Sequence, residues 1–418
     1  MKRCIVAVTA AVALTALPVV AGPKENTMRS DKGKDRAIAA LDAQRGQAAR
    51  PAYPEFSWDR LPLYIHVRKA AAFDQEELAY LASFPLITFE KTTGQKTYGS
   101  TDAGTVEAAK AVKQINPKAK VLFYRNVLVH YGGYSFDKEL DSVQGAFLRD
   151  RHGKGKLVRD RLESYDLTNP QVVDWWVRCA TSGCAHNAID GLFLDGHIKA
   201  VVPYLTKRLA PGKKDAVAAA YHEMMKQTRA AMPPGKLMVA NAIRARQPDS
   251  GLKAVMAYFD GSYLEAFAHP IGGVSRADYT VKGIKAVQTA AKQGKIIAMT
   301  LGLGESAAAL HGIDDTRKKL ESLAGLQKRV DFYIALFLVC AEQYSYLNLH
   351  DGYSVNTKNG RCDSKMWLKR LPEYDKPLGP PKGPAVRQGY VFTRDFAHAS
   401  VRVDVEAGAG KIGWHPEE

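Results

Sequence analysis

The sequence lacks the features that mark membrane-spanning and nucleic-acid-binding proteins. Beyond Val20 the apolar candidate Val330–Cys340 is shorter than the roughly 20 residues that a membrane helix needs. Zinc-finger spacing, a helix-turn-helix signature and an aromatic RNA-binding motif are also missing. We therefore expect no membrane span and no nucleic-acid partner.

Acidic residues are scarce relative to basic ones. The chain has 43 Asp and Glu against 59 Lys and Arg, and its formal net charge is +16. A basic surface favours polyanions such as acidic polysaccharides, although many exported proteins are basic without such a ligand. An acidic carbohydrate polymer is therefore one candidate partner, and we expect a monomeric chain.

The N-terminal segment has the pattern of a secretory signal peptide. Lys2 and Arg3 precede the apolar run Ile5–Val20, and a small-residue cleavage site ends at Ala21. Residues 22–50 are charged and are expected to form a flexible leader. We therefore expect a bacterial protein that is secreted or periplasmic. Residues 51–355 are expected to form the main domain, and residues 356–418 a C-terminal linker and β appendage.

Cysteines are few, and one of the five, Cys4, lies in the signal peptide. In an oxidising compartment an even number of remaining cysteines indicates disulfides. We expect the pairs Cys179–Cys184 and Cys340–Cys362, although other connectivities are open. Metal binding is disfavoured because no histidines cluster nearby, so no metal and no cofactor is expected.

From Leu61 onward, short apolar runs that end on polar residues alternate with helical segments. The helical segments are typified by Thr101–Ile115, and a long insert, Val127–Leu167, is expected to be functional. The expected strands are Leu63–Val67, Leu86–Phe89, Val121–Tyr124, Gly191–Leu194, Leu237–Ala240, Gly261–Leu264, Ile296–Thr300 and Tyr344–Leu349.

This alternation predicts an α/β fold, a (β/α)₈ TIM barrel. A doubly wound open sheet is the alternative, and it is disfavoured because no glycine-rich phosphate-binding motif follows the first strand. Two short strands, Gly389–Thr393 and Ser400–Val405, predict a small C-terminal β appendage that packs on the barrel.

The stretch from Ala188 to His197 is central to the functional hypothesis. Its apolar run ends on Asp195, and Gly196 allows a sharp exit from the strand. Asp195 could simply cap the next helix. Because catalytic groups of barrel enzymes gather at the carboxyl ends of the strands, however, we favour a catalytic role.

Polar residues at the other strand ends predict the rest of the site. Asp195 after strand four and Glu265 after strand six form a candidate catalytic pair, as glycoside hydrolysis requires. Asn241 and Arg125 could bind sugar hydroxyls or keep Asp195 ionised. The expected substrate-binding residues are Tyr64, His66, Glu90, Arg125, Asn126, His197, Asn241, His350 and Asp351, and further tyrosines that offer flat faces to sugar rings are Tyr124, Tyr131, Tyr134, Tyr263 and Tyr346.

The order of these motifs resembles a known group of barrels. The segments Tyr165–Pro170, Asp190–Asp195 and Tyr263–Glu265, with the tail Leu378–Phe396, are similar to hypothetical glycosyl hydrolase family 15 and to the polygalactosaminidase-like family 114. The resemblance implies a barrel glycosidase with Asp195 as nucleophile and Glu265 as acid/base. The strong positive charge argues against a cationic galactosaminoglycan as substrate.

Two alternatives to a glycosidase remain open. A non-catalytic glycan-binding barrel would keep the pocket but misplace one carboxylate. A metal-dependent polysaccharide deacetylase or amidohydrolase would need a tight ligand pair after one strand, which His350-Asp351 alone provides. For a glycosidase we expect Glu265 to lie in the more apolar setting, because desolvation favours a protonated acid.

Overall fold

The structure is a computed structural model that describes residues 51–196, 200, 208–243, 256–265, 274–303, 316–350, 353 and 370–415. The expected signal peptide and leader lie outside these residues. His197, Asp351 and Cys362 lie outside them as well.

The strands form a single eight-stranded parallel sheet in the order β1 to β8. A parallel bridge between Leu63 and Leu347 joins the last strand to the first, so the sheet closes into a barrel and the predicted fold is confirmed. The strands are β1 Tyr64–Val67, β2 Leu86–Phe89, β3 Lys120–Asn126, β4 Gly191–Asp195, β5 Leu237–Ala240, β6 Gly261–Glu265, β7 Ile296–Gly302 and β8 Ser345–His350.

Helices separate these strands, and local capping accounts for several of their boundaries. Asp74 caps the first helix in a reciprocal box with Glu77, and Asn169 caps the helix that begins at Pro170. The α-helices are α1 Gln75–Ala82, α2 Gln95–Tyr98, α3 Thr101–Ile115, α4 Pro170–Ala185, α5 Lys213–Ala231, α6 Arg276–Lys292 and α7 Thr316–Cys340, and 3₁₀ helices span Ser135–Ser142 and Pro372–Asp375.

Side chains alternate between two buried layers along each strand. One cluster fills the barrel interior and includes Tyr64, Tyr124, Phe193, Tyr263 and Tyr346. The intervening residues pack outward against the helices. This two-residue period means that the inward-facing residue nearest each carboxyl end points toward the mouth of the barrel.

The C-terminal residues form a separate antiparallel sheet in the order β12-β11-β10-β9. Two of its strands, β10 Val391–Asp395 and β11 Ala399–Asp404, correspond to the predicted pair, and β9 Val386–Gln388 and β12 Ala409–Trp414 extend it. The sheet packs on α7: Arg394 Nη1 donates to Leu338 O at 3.1 Å, and a Cβ at Gly410 would lie 2.6 Å from Asp331 O.

The predicted disulfide between Cys179 and Cys184 is wrong. Both are free, buried thiols on α4, where residues five positions apart project about 140° from one another around the helix axis. Cys340 is also a free, buried thiol, and its predicted partner lies outside the described residues.

None of the helices that the structure describes is long and apolar enough to span a membrane.

Candidate active site

Asp195, the last residue of β4, accepts hydrogen bonds at both carboxylate oxygens. Tyr124 Oη donates to Oδ2 at 2.7 Å, and Asn126 Nδ2 lies 3.2 Å from the same oxygen. Oδ1 accepts from the Gly196 amide at 2.8 Å and from Asn241 Nδ2 at 3.1 Å. Four donors that surround one carboxyl group favour its ionised form.

Asn241 brings the second candidate carboxylate to the same place. Its Nδ2 also donates to Glu265 Oε2, at 3.2 Å. Because a single nitrogen reaches both groups, Asp195 Oδ1 and Glu265 Oε2 lie at most about 6.3 Å apart. The two carboxylates, from β4 and β6, therefore face one cleft.

The donors to Asp195 are themselves held in place from behind β3. Tyr134 Oη donates to the carbonyl of Tyr124 at 2.8 Å, and Trp176 Nε1 donates to the carbonyl of Asn126 at 2.9 Å. Burial, reinforced by the charge of Asp195, raises the pKa of Tyr124 well above its usual value, so the phenol remains a donor.

Gly196 is required where β4 ends. Its φ is +82°, and a Cβ there would lie 2.4 Å from Asn126 Oδ1. The backbone conformation expected of this glycine is therefore present, and a larger residue would displace the Asn126 amide that contacts Asp195.

His66 lies buried on the inward face of β1. Its Nδ1 is 3.0 Å from Tyr64 Oη, which donates to Thr88 Oγ1 at 2.7 Å. The Tyr64 phenol therefore links the His66 ring to Thr88. Burial, reinforced by Lys91, lowers the pKa of His66 well below its usual value, so the ring is neutral.

His350 ends β8 on the same side of the cleft. Its ring stacks on Tyr353 with centroids 4.3 Å apart, and Tyr353 Oη is 2.7 Å from Tyr263 Oη. Burial lowers the pKa of His350 to about 4. This side of the cleft therefore presents uncharged imidazoles and phenols near neutral pH.

Glu90, at the end of β2, pairs with basic residues. Arg68 Nη1 lies 3.2 Å from Glu90 Oε2, and Lys91 pairs with Oε1. The ammonium of Lys91 also lies 5.0 Å from the Tyr124 ring centroid and 4.8 Å from that of Tyr131. Tyr131 comes from the long insert, which therefore contributes to the rim of the site.

Arg125 lies outside the cleft, in contrast to the prediction. Its neighbours Tyr124 and Asn126 both contact Asp195, so the strand alternation turns Arg125 to the outer side of β3. There its guanidinium lies 4.3 Å from the Tyr134 ring and 5.4 Å from the Trp175 ring, with 1% of the residue exposed.

Two of the tyrosines expected to face sugar rings are also elsewhere. Tyr134 is behind β3, as described above. Tyr346 lies deep in the barrel, where its hydroxyl donates to the carbonyl of Pro54 at 3.0 Å.

Sequence reasoning missed two inward-facing residues beside the carboxylates. Thr300 is the register partner of Glu265 and is 1% exposed, and Asn348 is the register partner of Thr300 and is 6% exposed. The alternation of β8 from Tyr346 to His350 contains the signal, since it passes through Asn348. In the described part of the chain, no group of three or more His, Cys, Asp or Glu side chains is arranged to hold a metal ion.

Comparison with solved structures finds distant similarity to carbohydrate-active barrels. The glycoside hydrolase domain of PelA from Pseudomonas aeruginosa is 13% identical, with 59% of this chain and 86% of that chain covered and a TM-score of 0.41. The maltogenic α-amylase AmyB from Thermotoga neapolitana is 12% identical, with 84% and 87% covered and a TM-score of 0.45. An α-amylase from Anoxybacillus is 11% identical, with 83% and 87% covered and a TM-score of 0.46.

Comparison with curated proteins gives no match. A family model, in contrast, covers most of the chain: residues 113–400 match the model of hypothetical glycosyl hydrolase family 15, including β4 with Asp195 and β6 with Glu265. The chain therefore belongs to hypothetical glycosyl hydrolase family 15, a family of glycosidases.

Proposed function

We propose that the protein hydrolyses glycosidic bonds of a polysaccharide or oligosaccharide with Asp195 and Glu265 as its catalytic pair. The observation that carries this proposal is the single amide of Asn241, which donates to both carboxylates. A glycosidase needs two carboxyl groups on one cleft, one acting at the anomeric carbon and the other at the leaving oxygen. A non-catalytic glycan-binding barrel has no need to hold two carboxylates at this separation.

Asp195 is the nucleophile in this proposal. Donation from Tyr124, Asn126, Asn241 and the Gly196 amide stabilises a negative charge on its carboxylate. An ionised carboxylate can attack the anomeric carbon and form a glycosyl ester. The same donors stabilise Asp195 as the leaving group when that ester is hydrolysed.

Glu265 is the acid/base. It gives its proton to the glycosidic oxygen while Asp195 attacks, and it then removes a proton from the water that hydrolyses the ester. The limit of about 6.3 Å between Asp195 Oδ1 and Glu265 Oε2 supports this two-step mechanism. Retaining enzymes have carboxyl groups about 5–5.5 Å apart, whereas inverting enzymes need about 6.5–9.5 Å to admit a water.

An acidic glycan is the substrate class that the rim favours. Arg68 and Lys91 lie beside Glu90, and Arg159 is an exposed residue of the insert. Both Arg68 and Arg159 act electrostatically on Tyr131, whose ring lies against Lys91. These three cations offset the carboxylates of Glu90, Asp195 and Glu265 around the site, and the chain as a whole carries +16. Carboxylate or sulfate groups on a polymer would be attracted to this rim.

The expected signal peptide supports export as part of the proposal. Its basic start and apolar run would direct the chain across a membrane, so that it meets envelope or environmental polysaccharides as a secreted or periplasmic monomer.

The direct test is hydrolysis of a panel of acidic and neutral glycans by the purified protein, with reducing ends as the readout. We expect cleavage of at least one acidic glycan and its loss, by about 1,000-fold or more, in Asp195→Asn and Glu265→Gln. The exposed carboxylates Asp174 and Glu406 allow matched controls, Asp174→Asn and Glu406→Gln, which should retain activity. Equal activity of Asp195→Asn and the wild type would refute the proposal.

A further inference from the structure

The side of the cleft formed by β7 and β8 carries buried polar atoms that have no hydrogen-bond partner among the described residues. They are Thr300 Oγ1, Asn348 Nδ2 and His350 Nδ1. All three side chains face the barrel interior, because residues two positions apart on a strand point to the same side. Thr300 comes two positions after Ala298, and Asn348 and His350 come two and four positions after Tyr346; Ala298 and Tyr346 both belong to the interior cluster. We refer to these three side chains as the β7–β8 wall.

The wall differs from the side that holds Asp195. There, Tyr124, Asn126 and Asn241 all donate to the carboxylate, so their polar groups are used within the protein. On the wall, Thr300 and Asn348 are almost fully buried, yet Thr300 Oγ1 and Asn348 Nδ2 have no hydrogen-bond partner among the described residues. An unpaired buried donor is costly for a folded protein, so these groups require a partner from outside the chain, either an ordered water or a ligand.

The chemistry of the wall specifies what it can bind. A hydroxyl, an amide NH₂ and an imidazole offer donors and acceptors without charge, and burial lowers the pKa of His350 to about 4, so its ring is neutral near pH 7. His66 and Tyr353 beside it are uncharged as well under those conditions. Neutral groups of this kind pair well with sugar hydroxyls and offer no counter-charge to a carboxylate.

We propose that the β7–β8 wall binds the neutral hydroxyl groups of the sugar unit that is being cleaved. The inference rests on the proposed glycosidase function and assigns Thr300 and Asn348 as specificity-determining residues. Thr300 is the register partner of Glu265, and β8 lies across the barrel from β4, so a sugar ring between Asp195 and Glu265 has the wall on its remaining side. Acidic substituents of the polymer are then bound at the Arg68, Lys91 and Arg159 rim.

Thr300→Val and Asn348→Ala test this assignment. On the aryl glycoside that the wild type cleaves best, each change should lower kcat/KM by at least about 10-fold, because a group that binds the substrate hydroxyl is lost. The Tm of Thr300→Val should stay the same or rise, since the removed hydroxyl has no partner in the free protein. An unchanged kcat/KM, or a Tm loss that accounts for the activity loss, would overturn the proposal.

Thr88 provides a matched control for the stability measurement. It is also a buried, inward-facing threonine, but its Oγ1 accepts from Tyr64 at 2.7 Å. Thr88→Val removes the acceptor of that phenol's hydrogen bond and should lower the Tm more than Thr300→Val does. An equal loss of Tm in both variants would contradict the view that the Thr300 hydroxyl serves a ligand.

Monodeoxy analogues of the same aryl glycoside identify the contact. On the analogue that lacks the hydroxyl bound by the wall, the kcat/KM of the wild type should fall, and Thr300→Val or Asn348→Ala should cause no further loss. If both variants still have a lower kcat/KM than the wild type on every analogue, the wall does not bind sugar hydroxyls.

Binding measurements distinguish a failure of this assignment from a failure of the proposed glycosidase function. If the wild type cleaves no glycoside, calorimetric titration with the glycan panel still measures the wall: weaker binding to Asn348→Ala than to the wild type would support it, and equal binding would overturn it. If the wild type neither cleaves nor binds any glycan, both proposals fail.

Discussion

Asn241 is the residue that links the two halves of the proposed catalytic pair. Its position directly after β5 puts it between β4 and β6, and one amide nitrogen reaches both carboxylates. Removing it should lower kcat/KM by about 100-fold, because a preorganised donor to a reacting group is lost. Steady-state kinetics of Asn241→Ala provide the measurement.

The exposed residue Asn187 supplies the control for this change. Asn187→Ala should have wild-type kinetics. If Asn241→Ala also retained wild-type kcat/KM at an unchanged Tm, the amide would have no role in catalysis.

His350 makes the stability of the protein depend on pH. Its pKa is about 4 when folded, against about 6.5 in an unfolded chain, so the unfolded state binds the proton more tightly. Stability from the neutral ring is complete above about pH 6.5 and is lost as the pH falls toward 4, by up to about 3 kcal/mol. Urea unfolding of His350→Gln at pH 7 and pH 4.5 should show a smaller difference than the wild type.

His152, an exposed histidine, provides the comparison for that experiment. His152→Gln should keep the wild-type difference between the two pH values. If His350→Gln also kept the wild-type difference in stability between the two pH values, the His350 ring would be hydrated in the folded state rather than desolvated.

The separation of the two carboxylates is a property of the strands. Asp195 and Glu265 end strands that have only β5 between them, and the Asn241 amide that follows β5 keeps one oxygen of each within about 6.3 Å of the other. Proton NMR of the first product should therefore show the same anomer as the substrate, as a retaining mechanism requires. Release of the opposite anomer would mean that Asp195 acts on a water instead.

Helix α4 determines the state of Cys179 and Cys184. Because the helix separates their side chains, alkylation of the denatured protein without reduction should label both, as peptide mass mapping can show. A peptide that carries a 179–184 disulfide would show that the helix is broken between the two residues.

The alternation of side chains along a strand also explains why one residue of the predicted site was wrong. Tyr124, Arg125 and Asn126 are consecutive on β3, so all three cannot face the cleft, and Arg125 packs outward among aromatic rings. For the cysteines, an even count in an exported chain suggested disulfides, but capping by Asn169 and a continuous apolar face produce a helix that separates Cys179 from Cys184.

At the scale of the whole molecule, the barrel could be predicted because each buried strand is a short apolar run that ends on a polar residue. The pairing of Asp195 with Glu265 followed from the closed order of those strands. The bridge by Asn241, the rim contact between Lys91 and Tyr131 and the unpaired atoms of Thr300 and Asn348 could not be predicted. They depend on distances across strands and on the course of a long insert, which no local pattern encodes.

The most direct test of the catalytic pair uses an aryl glycoside whose leaving group departs without a proton, together with Glu265→Gln and Asp195→Asn. Pre-steady-state release of the aryl alcohol measures the first step alone. Glu265→Gln should give a rapid burst close to the wild-type rate followed by slow turnover, because Asp195 can still attack while no base activates water. Asp195→Asn should give no burst. A burst from Asp195→Asn equal to that of the wild type would contradict the account.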